Sequence, residues 1–199
     1  MVSKLRLAAQ EAFAVAASDE DAKATSKLAN CYYDIRAGIG DFKTPENYGA
    51  FPMDPYSHTP GAGGARQPGL TGQVKEDILC RFGELGVSVR DKKIHFEPRL
   101  LRKEDFLVAG DRFVYLDVLG IERIIRLGPG ALAFTYCQVP IVYQRSETPS
   151  LAVEFNNRKR FRQEILILDE ENSRAIFERS GAIRSIVCGV NPIEASGNK

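Results

Sequence analysis

The order of apolar and polar residues changes once along this chain, close to Gly86. Before that point, and outside a long loop at residues 38–70, apolar residues recur every three or four positions, which is the spacing of helices. The pattern predicts three helices, over residues 2–17, 19–37 and 71–85. The first two are joined by so short a connection that they should pack antiparallel as an αα-hairpin.

Capping residues mark the ends of these helices. Ser18 precedes three acidic residues and is the expected N-cap of the second helix, with Gly38 as its left-handed C-cap. Thr71 is the expected N-cap of the third helix, which Gly86 ends. One apolar stripe of that helix is formed by Val74, Ile78, Leu79, Phe82 and Leu85.

After Gly86 the apolar residues alternate, as in strands. Residues 87–90 and 93–96 flank Asp91-Lys92 and predict a hairpin. Further strands are predicted over residues 113–118, 123–127, 131–136, 140–144, 151–155, 161–168 and 183–190. A short helix capped by Ser173 and running through Arg179 interrupts them. Such regular short strands favour an antiparallel sandwich or barrel.

The two patterns together predict an α+β protein in which N-terminal helices pack on a C-terminal antiparallel β-sandwich. We expect a helical segment over residues 1–86, with a long loop at 38–70, and a β-sandwich-like domain over 87–199. Three helices with wide apolar faces cannot close a core alone. The natural domain is therefore expected to continue N-terminally as a larger helical array, or another chain covers the missing surface.

Charge and hydropathy exclude several classes of partner. The 199 residues include 27 basic and 26 acidic side chains, a net charge of +1. The densest basic run, residues 158–162, reads as a solvated hairpin tip, so we expect no nucleic-acid partner. No apolar run approaches the roughly 20 residues of a membrane span, and no signal peptide is seen. We expect no membrane contact, and a cytoplasmic location if the chain is complete.

The four cysteines lie far apart without a C-x-x-C pair, and the histidines are His58 and His95. This spacing favours neither a zinc site nor a disulfide framework. We therefore expect buried free thiols, no metal and no cofactor.

Residues 54–73 form a long segment with almost no apolar side chains. Four prolines within or next to this segment restrict its backbone and so reduce the entropy lost on ordering. Its glycines allow the backbone to approach a ligand closely. A disordered linker would need neither aromatic residues nor so varied a polar set. A binding loop is therefore favoured over a structural wrap-around.

Several stretches share the pattern of one known architecture, namely residues 68–79, 83–87, 93–98, 33–40 and 48–60. Together they resemble the end of a six-hairpin α/α-toroid glycoside hydrolase or phosphorylase, as found in uncharacterised bacterial proteins of that type. In such enzymes a Gly/Ser/Thr loop leads into the last toroid helix, and the chain then enters a C-terminal β-sheet domain. The resemblance covers residues 1–100 in pattern and the rest in architecture.

The resemblance implies a portion of a carbohydrate-active enzyme that contributes a substrate-binding loop where the toroid meets the β domain. Asp54 and His58 would be catalytic, with Glu46 as the second choice of carboxylate. The partner would be an oligosaccharide or polysaccharide. Sugar hydroxyls would be bound by Tyr56, Thr59, Arg66, Gln67, Thr71 and Gln73. Other catalytic residues would lie on upstream hairpins, so the 199-residue chain should be inactive alone.

A second hypothesis makes the strands a non-catalytic accessory or interaction module. Carbohydrate would then bind to exposed aromatic residues on strands, such as Tyr115, Tyr136 or Tyr143. Half-buried sheet positions are the commoner explanation of such aromatics.

Overall fold

The computed structural model describes residues 2–38 and 74–193. In these residues it has four α-helices and nine β-strands, which confirms the mixed α+β class. The chain divides into two compact units, Met1–Gly83 and Glu84–Lys199.

The first unit contains helix α1 (Val2–Ser18), helix α2 (Ala22–Gly38) and most of helix α3 (Val74–Leu85). Helices α1 and α2 pack against each other, so the predicted αα-hairpin is confirmed. Small and aromatic residues fill their contact, which brings the two backbones close. The buried residues are Ala9, Phe13, Ala16, Ala29, Tyr32 and Tyr33.

The predicted N-cap of α2 is wrong. Ser18 belongs to α1, where its hydroxyl donates to the carbonyl of Ala14 over 2.9 Å. Asp21 has the capping role instead, because its Oδ1 accepts a 2.9 Å hydrogen bond from the backbone N–H of Ala24. A carboxylate accepts more strongly than a hydroxyl and also complements the helix dipole.

Helix α3 buries part of its polar side and exposes part of its apolar stripe. Ile78 and Leu79 are 50% and 51% exposed, whereas Glu76 is only 4% exposed. Gln10 on α1 donates a 2.8 Å hydrogen bond to the carbonyl of Cys80. The helix ends as predicted at Gly86, where φ is +65° and a Cβ would lie 2.0 Å from a backbone carbon of Glu97.

The second unit is built around one five-stranded sheet. Its strands are β5 (Ala131–Tyr136), β6 (Val139–Arg145), β7 (Ser150–Phe155), β8 (Arg160–Gln163) and β9 (Ile183–Val190), in the spatial order β5-β6-β9-β7-β8. Two separate hairpins accompany the sheet. They are β1 (Val87–Arg90) with β2 (Lys93–Phe96), and β3 (Asp111–Leu116) with β4 (Glu122–Leu127).

The prediction of an entirely antiparallel arrangement is wrong at one ladder. Strands β6 and β9 run parallel, with Ile141 opposite Ile186. A parallel neighbour needs a long crossover connection. Here the chain between these strands passes through β7, β8 and helix α4 (Glu170–Phe177) before it returns.

The boundaries around α4 also differ from the prediction. The last predicted middle strand ends at Gln163, well short of residue 168. Asp169 caps α4, because its side chain accepts from the backbone N–H of Asn172, and the helix ends at Phe177. Ser173 is buried inside the helix rather than at its cap, and its hydroxyl accepts a 3.0 Å hydrogen bond from the N–H of Ile94.

The two faces of the sheet differ in character. The inner face is apolar and buried, and carries Ile141, Tyr143, Leu151, Val153, Ile186 and Cys188. It shares one core cluster with residues of β1, β2 and α4, such as Phe96 and Ile176. The outer face carries the alternate positions, among them Val142, Ser185 and Val187, and is not part of that cluster. Because successive side chains of a strand point to opposite faces, the apolar core takes up the inner face, and the outer face can contribute to a binding site.

Candidate functional site

The loop residues predicted from the sequence lie outside the described residues. These are Asp54 and His58, with Tyr56, Thr59, Arg66, Gln67, Thr71 and Gln73, and also Glu46. Their roles stay predictions.

In the second unit a cleft of about 890 Å³ is lined by hairpin β3–β4 and by the outer face of the sheet. Its apolar lining includes Ile124, Val142 and Val187. Its polar and charged lining consists of Tyr115, Asp117, Arg123, Gln138, Glu154, Asn156, Arg179, Ser180, Arg184 and Ser185. We call this space the cleft.

One wall of the cleft is the hairpin, and its aromatic residues share a face. Phe113 and Tyr115 are two positions apart on β3, so both side chains point to the same side. Their rings are stacked, with centroids 5.7 Å apart and planes at 13°. Burial, followed by the nearby Asp117 carboxylate, raises the pKa of the Tyr115 phenol. The hydroxyl therefore stays protonated at neutral pH and can both donate and accept.

The turn of the same hairpin is held by Asp117. Its Oδ2 accepts a 2.8 Å hydrogen bond from Nε of Arg123, and its Oδ1 accepts from the backbone N–H groups of Leu119 at 2.9 Å and Ile121 at 3.0 Å. These bonds favour the charged form, with that from Arg123 contributing most, and they lower the pKa of Asp117. The turn thus places a fixed carboxylate and guanidinium at the cleft.

The opposite wall carries a second charged group on the outer face of the sheet. Glu154 on β7 lies opposite Ser185 on β9, whose hydroxyl is 3.5 Å from Oε2. The other oxygen, Oε1, is 3.5 Å from a guanidinium nitrogen of Arg160 and 3.7 Å from one of Arg184. The carboxylate is thereby shared between two cations.

A direct hydrogen bond ties the two walls together. Gln138 lies in the tight turn between β5 and β6, where both Cys137 and Gln138 have positive φ. Its side-chain amide donates a 3.1 Å hydrogen bond to the backbone carbonyl of Asp117. This bond fixes the hairpin turn relative to the sheet at one end of the cleft.

The lining also includes the loop after α4 and the turn after β7. Asn156 uses its side-chain N–H to donate to the carbonyl of Gly181, so its amide oxygen still has acceptor capacity. Arg179 lies in the loop, exposed and at φ +49°. Among the residues that the structure describes, none forms a hydrogen bond or ion pair with its guanidinium.

Only one of the three aromatic candidates lines the cleft. Tyr115 does so, whereas Tyr143 is 0% exposed on the inner face and is therefore a wrong candidate for surface binding. Tyr136 is half-buried and packs edge-to-face on Phe177.

Sequence reasoning missed Asp117 and Arg179. The Asp-x-x-Gly spacing of Asp117 and Gly120 was the one local signal, since it is typical of turns.

The cysteines are free, as expected, but their burial was predicted only in part. Cys80 and Cys188 are buried, whereas Cys137 is half-buried and Cys31 is exposed.

Within the described residues, no three His, Cys, Asp or Glu side chains are grouped as a metal site would require. No helix in that part of the chain combines the length and apolarity needed to cross a membrane.

No protein-family model matches the sequence, and comparison with curated proteins gives no match.

Proposed function

We propose that this chain is the saccharide-binding C-terminal portion of a glycoside hydrolase-like protein, and that the cleft is one of its sugar sites. The single observation that carries this proposal is the position of Tyr115 beside fixed, planar polar groups in a concave space. The apolar C–H face of a pyranose ring packs on an aromatic ring. The hydroxyls of the sugar form hydrogen bonds with the carboxylate of Asp117, the guanidinium of Arg123 and the amide of Asn156.

The dimensions and chemistry of the cleft support this choice. A volume of about 890 Å³ lies within the usual range of roughly 300–1,000 Å³ for small-molecule sites. Aliphatic side chains such as Val142 and Val187 give the floor an apolar character. Asp117 and Arg123 are held by a hydrogen bond, and Glu154 and Arg184 by an ion pair, before any ligand arrives, so binding need not order these four groups.

The toroid and sandwich assignments belong to the same proposal. Apolar residues on the helices of the first unit, including Leu5, Val15, Ile78 and Leu79, are at least half exposed. Neighbouring helical hairpins of a toroid would cover such faces. Hairpin β3–β4 over the outer face of the sheet would be a partial second layer of a sandwich.

The binding proposal is tested by calorimetric titration of the full chain with a panel of neutral and acidic oligosaccharides. Replacing Tyr115→Leu should weaken binding about tenfold, or about 1.4 kcal/mol. Tyr136→Leu is the matched control, since Tyr136 is also a half-buried sheet tyrosine but does not line the cleft. Equal affinity of the Tyr115 variant and the unaltered chain would exclude the cleft as the sugar site.

The loop offers the alternative place for binding, and catalysis would depend on it. Deletion of residues 54–68 should leave saccharide affinity unchanged if the second unit is an independent accessory module. Loss of affinity in that deletion would favour the loop as the substrate site. In the complete parent protein, Asp54→Asn should abolish hydrolysis if Asp54 is catalytic.

A further inference from the structure

The charges that line the cleft do not cancel. Among the described lining residues there are three arginines, Arg123, Arg179 and Arg184, against two carboxylates, Asp117 and Glu154. The cleft therefore carries one excess positive charge, although the whole chain is nearly neutral at +1 with 27 basic and 26 acidic side chains.

The ion pairs identify the arginine that supplies this excess. Arg123 is bound to Asp117 at 2.8 Å. Arg184 lies 3.7 Å from Glu154, which also attracts Arg160 at 3.5 Å. Both carboxylates of the cleft are thus already engaged. No described residue pairs with the guanidinium of Arg179.

An unpaired guanidinium that lines a concave site can bind an anion. Its planar fork forms two parallel hydrogen bonds with a carboxylate, sulfate or phosphate group. Low-dielectric walls around the cleft focus the field of the charge and raise the local concentration of anions. A neutral sugar would leave this donor set without a charged partner.

We infer that the ligand of the cleft is an acidic saccharide, and that Arg179 binds its anionic group. This inference rests on the proposed function, because it specifies the class of sugar that the cleft binds. The anionic group is a uronate carboxylate or a sulfate or phosphate ester, since these present the same pair of acceptor oxygens. The excess charge selects the acid over the neutral sugar of the same shape.

Arg158 provides a matched control for Arg179. Both arginines are exposed and lie in turns, and both have positive φ, +66° for Arg158 and +49° for Arg179. The backbone N–H of each donates to the carbonyl three residues earlier, Phe155 and Ile176 respectively. Arg158 does not line the cleft. An Arg→Gln change therefore has the same backbone cost and the same loss of charge at both positions.

The experiment compares acids with their own methyl esters by calorimetry on the full chain. The probes are trigalacturonate, trimannuronate and triguluronate, each with its fully methyl-esterified form. Neutral oligosaccharides, glucose 6-phosphate with glucose as its counterpart, and inorganic phosphate complete the panel. At least one acidic sugar should bind about tenfold or more tightly than its ester or unphosphorylated counterpart. The two kinds of acid distinguish a carboxylate from a phosphate as the recognised group.

Two variants then test whether Arg179 is the residue that causes the preference for the acid over the ester. Arg179→Gln should lower the affinity for the acid about tenfold and leave that for the ester unchanged, whereas Arg158→Gln should change neither. Equal binding of acid and ester would overturn the inference and leave the saccharide site standing. Absence of binding by every sugar would overturn the proposed function and the inference with it. Phosphate alone binding as tightly as the acidic sugars would show an anion site without saccharide recognition, and would overturn both.

Discussion

Arg123 and Asp117 face each other across the turn of hairpin β3–β4, with 2.8 Å between Nε and Oδ2. This pair gives the first prediction. Arg123→Gln should raise the pKa of Asp117 towards its ordinary value, because the largest cause of its lowering is removed. An NMR pH titration of the Asp117 carboxyl carbon measures this.

The stability that the Asp117 carboxylate contributes should decrease as pH falls. Since the folded pKa of Asp117 is lowered, its contribution to stability is present above the unfolded value of about 3.9 and is lost as pH falls through the folded pKa. Arg126→Gln is the control, because Arg126 lies opposite Arg112 in the strand register, and its side chain is on the other face of the hairpin from Arg123. An unchanged Asp117 titration in the Arg123 variant would contradict the assignment.

Tyr143 is hydrogen-bonded to Leu85, and both residues belong to the second unit. The buried hydroxyl of Tyr143 donates a 2.6 Å hydrogen bond to the carbonyl of Leu85. Tyr143→Phe should lower the free energy of unfolding by about 1–3 kcal/mol, because a buried carbonyl loses its donor. Urea denaturation measures the loss. Tyr115→Phe should cost much less, since Tyr115 is only half-buried, and equal losses in the two variants would contradict the assigned role.

Ser173 joins helix α4 to strand β2. Its buried hydroxyl accepts from the N–H of Ile94 over 3.0 Å and donates to the carbonyl of Leu168 over 3.2 Å. Ser173→Ala should therefore destabilise the chain by about 1–3 kcal/mol. The exposed Ser180 is the comparison, and Ser180→Ala should stay within about 0.5 kcal/mol. A smaller loss for Ser173 than for Ser180 in urea would show that the buried hydroxyl is not needed.

The four free thiols should react in an order set by exposure. Cys31 should be modified first by iodoacetamide, followed by the half-buried Cys137. Burial raises the pKa of the Cys188 thiol, which removes the reactive thiolate, so Cys188 should react only in denaturant. Mass spectrometry of timed samples reads the order, and rapid labelling of Cys188 in the native chain would contradict its place in the core.

Local features of the fold were predictable from the sequence. The strands over residues 131–136 and 183–190 have the predicted bounds, because alternation and flanking turn residues are local signals. The parallel pairing of β6 with β9 was not predictable, since the residues between them carry no period that fixes a partner strand. The cap of α2 was misplaced by three residues because Ser18 and Asp21 are both good capping residues.

The cleft was beyond prediction for a physical reason. Asp117 and Arg179 are ordinary turn and loop residues in the sequence, and only the tertiary fold brings hairpin β3–β4 and the loop after α4 to one cleft. Tyr115 was named as a candidate because it is an aromatic residue on a strand. The roles predicted for Asp54 and His58 concern residues outside the described ranges and stay predictions.

The most direct test of the central claim is amide chemical-shift mapping of the full chain during titration with the oligosaccharide that binds most tightly in the panel. The account predicts saturable shifts at Asp117, Asn156 and Ser185, which line the two walls of the cleft. Saturable shifts confined to other surfaces, such as hairpin β1–β2, with these three amides unmoved, would contradict it.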